Sequence, residues 1–148
     1  MKRYFVMLFL LLPLSTQAAV SDAEIQKLMN AARERITRAK LNDGSFVPAE
    51  TAEEKKSPII PLNDGRRIID RGGLSAIAEW CGIDYLPSYL QFMQNERKNY
   101  HWNDKQSSYV GLLHGMSVAV HRQGLKDIGL KTCSDAQKQH TLKQLSKE

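Results

Sequence analysis

The stretch NDKQSSYVGLLHGMSVAVHRQG, residues 103–124, decides how this chain is read. Asn103 has the chemistry of a helix N-cap, and Gln106, three residues on, completes a reciprocal capping box. Tyr109, Val110, Leu113, Met116, Ser117 and Val120 then recur at steps of three and four, the period of one buried helix face. Gly124 predicts the stop. No strand-length stretch alternates apolar with polar residues, so the expected fold class is all-α. We expect a compact bundle of about five helices closed by one disulfide, with a long irregular connector after the first helix.

The helical body spans residues 66–148. Arg66 to Cys81 carries Ile68, Ile69, Ala76, Ile77 and Trp80 at helical spacing, with Gly82 as C-cap. Gly72-Gly73 interrupts it at about 1 kcal/mol per glycine relative to alanine, which leaves open one helix or two short ones. A third helix is predicted from near Asp84, with Pro87 in its first turn and Leu86, Tyr89, Leu90 and Met93 as its apolar stripe. Ser134 and Gln137 form another capping box and open a last helix bearing Leu142 and Leu145. Within residues 103–124, Gly111, Gly115 and Ala119 recur every four residues, a spacing that lets a second backbone approach closely. A chain this small must bury much of its surface, so we expect that approach inside the fold, toward Gly72 and Gly73, rather than at a dimer face.

Upstream, residues 19–40 predict an amphipathic helix. Ser21 and Glu24 form its capping box, followed by Ile25, Leu28, Met29, Ala32, Ile36 and Ala39. Its other face, with Lys27, Arg33, Glu34, Arg35, Arg38 and Lys40, reads as a solvated face. Residues 41–65 form the polar connector, punctuated by Pro48, Pro58 and Pro61. Leu-Asn-Asp-Gly occurs in it twice, at 41–44 and 62–65, and both copies read as turns. Neither makes a repeat array or a calcium loop. Glu50 to Lys56 reads as mobile, with Phe46, Val47, Ile59 and Ile60 fastening the connector to the core. So long a connector is a candidate functional surface.

Residues 1–18 have the parts of a secretory signal: Lys2 and Arg3, an apolar run from Phe5 to Leu14, and small or polar residues from Ser15 to Ala18. Cleavage is expected before Ala19. The apolar run is shorter than the ~20 residues of a bilayer span, and no second segment is long and apolar enough, so no membrane span is expected after cleavage. Losing Lys2 and Arg3 takes the formal charge from +5 to +3, which no longer suggests nucleic acid. Two cysteines, Cys81 and Cys133, allow one intramolecular disulfide, at home in a periplasmic or secreted protein. It would stabilise the fold by roughly 4 kcal/mol in the chain-entropy model.

For chemistry the search is mostly negative. Nucleophile elbow, phosphate loop, dinucleotide fingerprint and metal-ligand spacing are all missing, and no cofactor or metal is expected. His114 and His121 share a helix face about 10 Å apart along its axis, too far for one metal ion. If buried, His114 reads as a hydrogen-bonded core imidazole; His101 and His140 have no visible partners. Tyr100-His101-Trp102 lies between two predicted helices. It reads either as a partner or ligand surface, with His114 and His121 as further candidates, or with Trp102 as a hydrophobic staple before the Asn103 cap.

The segment Tyr109-Val110-Gly111-Leu112-Leu113-His114-Gly115, followed by a loop and Cys133, resembles the C-terminal half of small exported immunity proteins that neutralise type VI secretion amidase effectors. The resemblance implies a signal peptide, an all-helical body, paired cysteines and a protein partner. This chain departs from the pattern in lacking a cysteine just before Tyr109, and no effector-contacting residue is carried over. The expectation is an exported, non-enzymatic helical protein that binds an unknown protein partner, with immunity to a secreted toxin as its sharper form. Two other classes stay open: a small envelope-acting hydrolase using Glu79 or His114, and a ligand carrier using Tyr85, Tyr89, Tyr100 and Trp102.

Overall fold

The computed structural model describes residues 20–129 and 131–147; the signal segment 1–18 lies outside the described residues. Five α-helices stand among them: α1 (Asp22–Glu34), α2 (Leu62–Trp80), α3 (Leu86–Tyr100), α4 (Asp104–Asp127) and α5 (Asp135–Leu145). Short 3-10 turns occupy Ile36–Arg38 and Glu54–Lys56. The only pairing of β type among the described residues is an isolated bridge between Lys40 and Phe46. All three capping boxes form: Ser21 with Glu24, Asn103 with Gln106, and Ser134 with Gln137.

α2 and α4 make the most extensive pair and run in the same direction. Gly72 faces Ser117 and the His114 carbonyl, Gly73 faces the His121 ring, and Glu79 meets Arg122. Ser117 Oγ donates to the Ile69 carbonyl at 2.7 Å. The diglycine therefore does not split α2. A Cβ at Gly72 would lie 2.5 Å from Ser117 Cβ, so glycine is what the approach requires. The expected partners on α4 are corrected. Gly111 makes only ordinary contacts with Tyr89 and Met93, and Gly115 faces open space. At ~100° per residue, Ser117 lies about 200° from Gly115, on the opposite side of the helix.

α3 runs antiparallel to both, with Arg67 opposite Glu96, Arg71 opposite Ser88, and Tyr89 against His114. α1 crosses the other side. It buries Ile25, Met29 and Ala32, Tyr109 Oη donates to the Met29 carbonyl, and Arg66 pairs with Asp22. The core joins these side chains to Ile36, Val47, Ile60, Ile68, Ile69, Phe92, Trp102, Val110 and Leu113.

Three boundaries differ from expectation. α1 stops at Glu34 rather than at 40, because residues 39–47 turn back on themselves: Val47 N–H donates to the Ala39 carbonyl and Leu41 N–H to Ser45. α2 starts at Leu62 rather than 66, so the two Leu-Asn-Asp-Gly copies part company. The first is a turn with Gly44 at φ +85; the second is the first turn of α2, where Gly65 lets Met29 Sδ approach to 2.3 Å from where a Cβ would stand. α4 continues past Gly124 to Asp127, and Gly129, at φ 69, lies just beyond it.

Pinned rather than mobile describes residues 50–56. Arg33 grips the Glu50 carboxylate at 2.7 and 2.9 Å and the Glu54 carbonyl at 2.8 Å. Lys105 reaches Glu54 at 2.7 Å, and its hydrogen bond helps hold that carboxyl down to about 2. Gln106 donates to the Ile59 carbonyl and Ser108 to that of Lys40, so the first two turns of α4 anchor both ends of the connector. Val47 and Ile60 are buried as expected, but Phe46 is exposed, since neighbours on extended backbone point to opposite sides. The Cys81–Cys133 disulfide forms, with a Cα–Cα distance of 5.0 Å, and ties the end of α2 to the start of α5.

Two glycines on different helices thus have opposite expected effects. Gly72→Ala should destabilise by about 2–3 kcal/mol through overpacking, whereas Gly115→Ala should stabilise by about 0.5–1 kcal/mol through helix propensity. Urea unfolding of the two variants checks this, and similar midpoints for both would contradict the packing described.

Candidate functional site

The Tyr100-His101-Trp102 corner is built by three helices. α3 ends at Tyr100, and His101 takes left-handed backbone angles, φ 54 and ψ 37. That reversal sends Trp102 into the core and leaves Asn103 to cap α4. The Tyr100 and Trp102 rings stack at 5.5 Å, and the Arg67 guanidinium lies 4.0 Å over the Tyr100 ring. Arg67 is itself fixed by two hydrogen bonds to Glu96, at 2.9 and 2.8 Å, and by Asp64 at 2.7 Å. The Glu96 bond raises the Arg67 pKa above its ordinary value. Trp102 Nε1 also donates to Glu96, at 3.4 Å. Tyr100 and His101 stay exposed, whereas Trp102 is buried and is withdrawn from the expected partner surface; its apolar ring belongs to the core.

His114 is withdrawn too, being 3% exposed. It stacks on Tyr89 at 4.4 Å, and its Nε2 lies 3.1 Å from Ser75 Oγ. Arg71, also buried, donates to Ser75 at 3.2 Å and to Ser88 at 2.8 Å, and lies 5.5 Å over the Phe92 ring. With Arg71 donating to Ser75, the serine hydroxyl is left to donate to a neutral imidazole. Burial, reinforced by the nearby Arg71 charge, lowers the His114 pKa to about 4.

His121 is half-buried, with Nδ1 2.9 Å from the Ser117 carbonyl, so its position is set by its own helix. Beside it an apolar groove of about 440 Å³ opens between α1 and α4, lined by Val20, Leu28, Ala31, Ile69 and Val120. Glu79 sits at the surface, paired with Arg122 at 3.0 Å, and shares no hydrogen bond with His114. The rings proposed for a carrier are occupied in pairs: Tyr89 with His114, and Tyr100 with Trp102 and Arg67. Among the described residues, no group of three or more His, Cys, Asp and Glu side chains is placed to hold a metal ion. No described helix is long and apolar enough to cross a membrane.

Comparison with known protein families, curated proteins and solved structures gives no match. The site is therefore read from its own residues. Arg67, Arg71 and Glu96, which position Tyr100 and His114, escaped the sequence reading. One signal for Arg71 was present: it falls three residues after Ile68 and four before Ser75, inside the apolar stripe of α2.

His114 gives a signed pH effect. The folded chain keeps it neutral down to about 4, against an ordinary value of 6.5. Between those pH values the unfolded chain binds the extra proton, so stability falls as pH drops from 6.5 to about 4. The loss is about 3 kcal/mol by linkage. His114→Gln should remove this portion of the pH dependence, and denaturation midpoints measured across the window test it; an unchanged slope would exclude a buried neutral imidazole.

Proposed function

We propose that this chain is an exported, non-enzymatic helical protein that binds another protein through the corner formed by Tyr100 and His101. Tyr100 carries the reading: Arg67 and Trp102 hold its ring, yet the residue is 42% exposed. An aromatic whose rotamer is already fixed loses little entropy on association. Tyrosine is also among the side chains most often responsible for binding energy at interfaces. His101 adds a second reason. A non-glycine residue with left-handed angles costs about 1 kcal/mol that glycine would avoid, and the exposed imidazole retained there is available to a partner.

Export is supported by the N-terminal signal pattern and by a disulfide that persists in oxidising compartments. The resemblance to immunity proteins rests on residues 109–115, where Tyr109, Val110, Leu113 and His114 are core side chains. It therefore concerns packing and names no contact surface. Immunity to a secreted toxin is the form the proposal takes if the captured partner is such a toxin.

A photo-crosslinking residue at position 101, with position 138 on the exposed face of α5 as control, tests the proposal in periplasmic extract. We expect one stoichiometric protein adduct from 101 and none from 138, lost when Tyr100→Ala is added with helix content unchanged. No adduct from position 101 would refute the proposed surface. His101→Gly should raise stability by about 1 kcal/mol, read as a higher urea midpoint.

A further inference from the structure

Among the described residues, α5 is the α-helix that gives no side chain to the main core cluster, which draws on α1, α2, α3, α4 and the connector. Its own hydrogen bonds are local: the capping box at Ser134 and Gln137, and Thr141 Oγ1 to the Gln137 carbonyl. The buried residues of α5 are Thr141 and Leu145, and Leu142 is 40% exposed. Among the described residues, beyond its packing along α2, it is held at both ends. At its far end Ser88 Oγ donates to the Leu145 carbonyl at 3.2 Å; before its first turn stands the Cys81–Cys133 bond. The segment leading in is exposed at Ile128, Gly129, Lys131 and Thr132. An isolated helix of eleven residues is marginal in water, so α5 depends on whatever keeps it near α2.

We infer that the Cys81–Cys133 disulfide is a redox latch whose reduction releases α5 from an otherwise intact body of α1 to α4. The reductant is a dithiol. Cys133 is the more exposed residue of the pair, since Cys81 is buried at the end of α2. A thiolate of the dithiol attacks Cys133 Sγ, breaking the disulfide and expelling the Cys81 thiolate, which takes a proton from solvent. The second thiol of the reductant then displaces Cys133, which is protonated in turn, and the reductant leaves as a disulfide. Two electrons and two protons have passed to the chain. Cys81 stays on the rigid body as a thiol, and Cys133 departs with α5.

Hydrogen exchange on the whole chain, read by mass spectrometry with and without dithiothreitol, tests the latch. Reduction should lower protection of amides 138–145 by about a hundredfold, while those of α1, α2 and α4 change by less than about threefold. The double variant Cys81→Ser, Cys133→Ser should show the released pattern without any reductant, which ties the effect to the bond rather than to the reagent. Unchanged protection of α5 in the reduced chain overturns the inference, as does loss of protection throughout all five helices or an oxidised-like pattern in the double variant.

Discussion

The rest of the structure depends on how closely α2 approaches α4 at Gly72. The space a side chain would need there is taken by Ser117 and by the His114 carbonyl. Ser117 closes the contact by donating its hydroxyl across to the Ile69 carbonyl, so the serine is satisfied although fully buried. With the two backbones fixed in register, Gly73 comes to rest on His121, and Ser75, one turn after Gly72, comes opposite His114. The two glycines that would weaken α2 in isolation are what allow it to pack. The cost in propensity is offset by contacts that a Cβ would forbid.

That register creates the polar layer beneath α3. Arg71, Ser75, Ser88 and His114 face one another where a conventional core would place aliphatic side chains. Burying a guanidinium next to an imidazole is tolerable only while the imidazole stays neutral, and burial with Arg71 holds it so. The aromatic rings of α3 complete the layer, Tyr89 on His114 and Phe92 beneath Arg71. α3 is therefore oriented by directional contacts, each of which requires a particular partner, whereas α1 is held mainly by apolar burial of Ile25, Met29 and Ala32.

Local rules reached far into this fold. Capping boxes at Ser21, Asn103 and Ser134 fix helix starts through neighbours three residues away, and each was legible for that reason. The cysteine pair was legible because two cysteines admit a single pairing. What depended on distant partners was not. The glycine spacing at Gly111 and Gly115 suggested close packing, but which face of α4 meets α2 is decided by Ser117. Glu50 to Lys56 looked mobile from composition, because its anchors, Arg33 and Lys105, lie in helices far away in sequence. Of the candidate surface, Tyr100 and His101 were found where expected at the molecular surface. Trp102 and His114 turn inward instead, His114 as the hydrogen-bonded core imidazole that was its alternative reading, because the partners that decide it lie on other helices.

The corner and the latch use different parts of the molecule. Arg67, which holds Tyr100, lies near the start of α2, while Cys81 follows its last residue, about 20 Å away along the helix axis. Every group that fixes Tyr100 comes from α2, from α3 or from the turn before α4: Asp64 and Arg67, Glu96, and Trp102. α5 contributes none of them. Among the described residues, its hydrogen bond into this region passes through Ser88 to Arg71, one turn beyond Arg67. Arg71 keeps Ser75 and the Phe92 ring as partners without α5, so departure of that helix leaves the supports of Tyr100 standing.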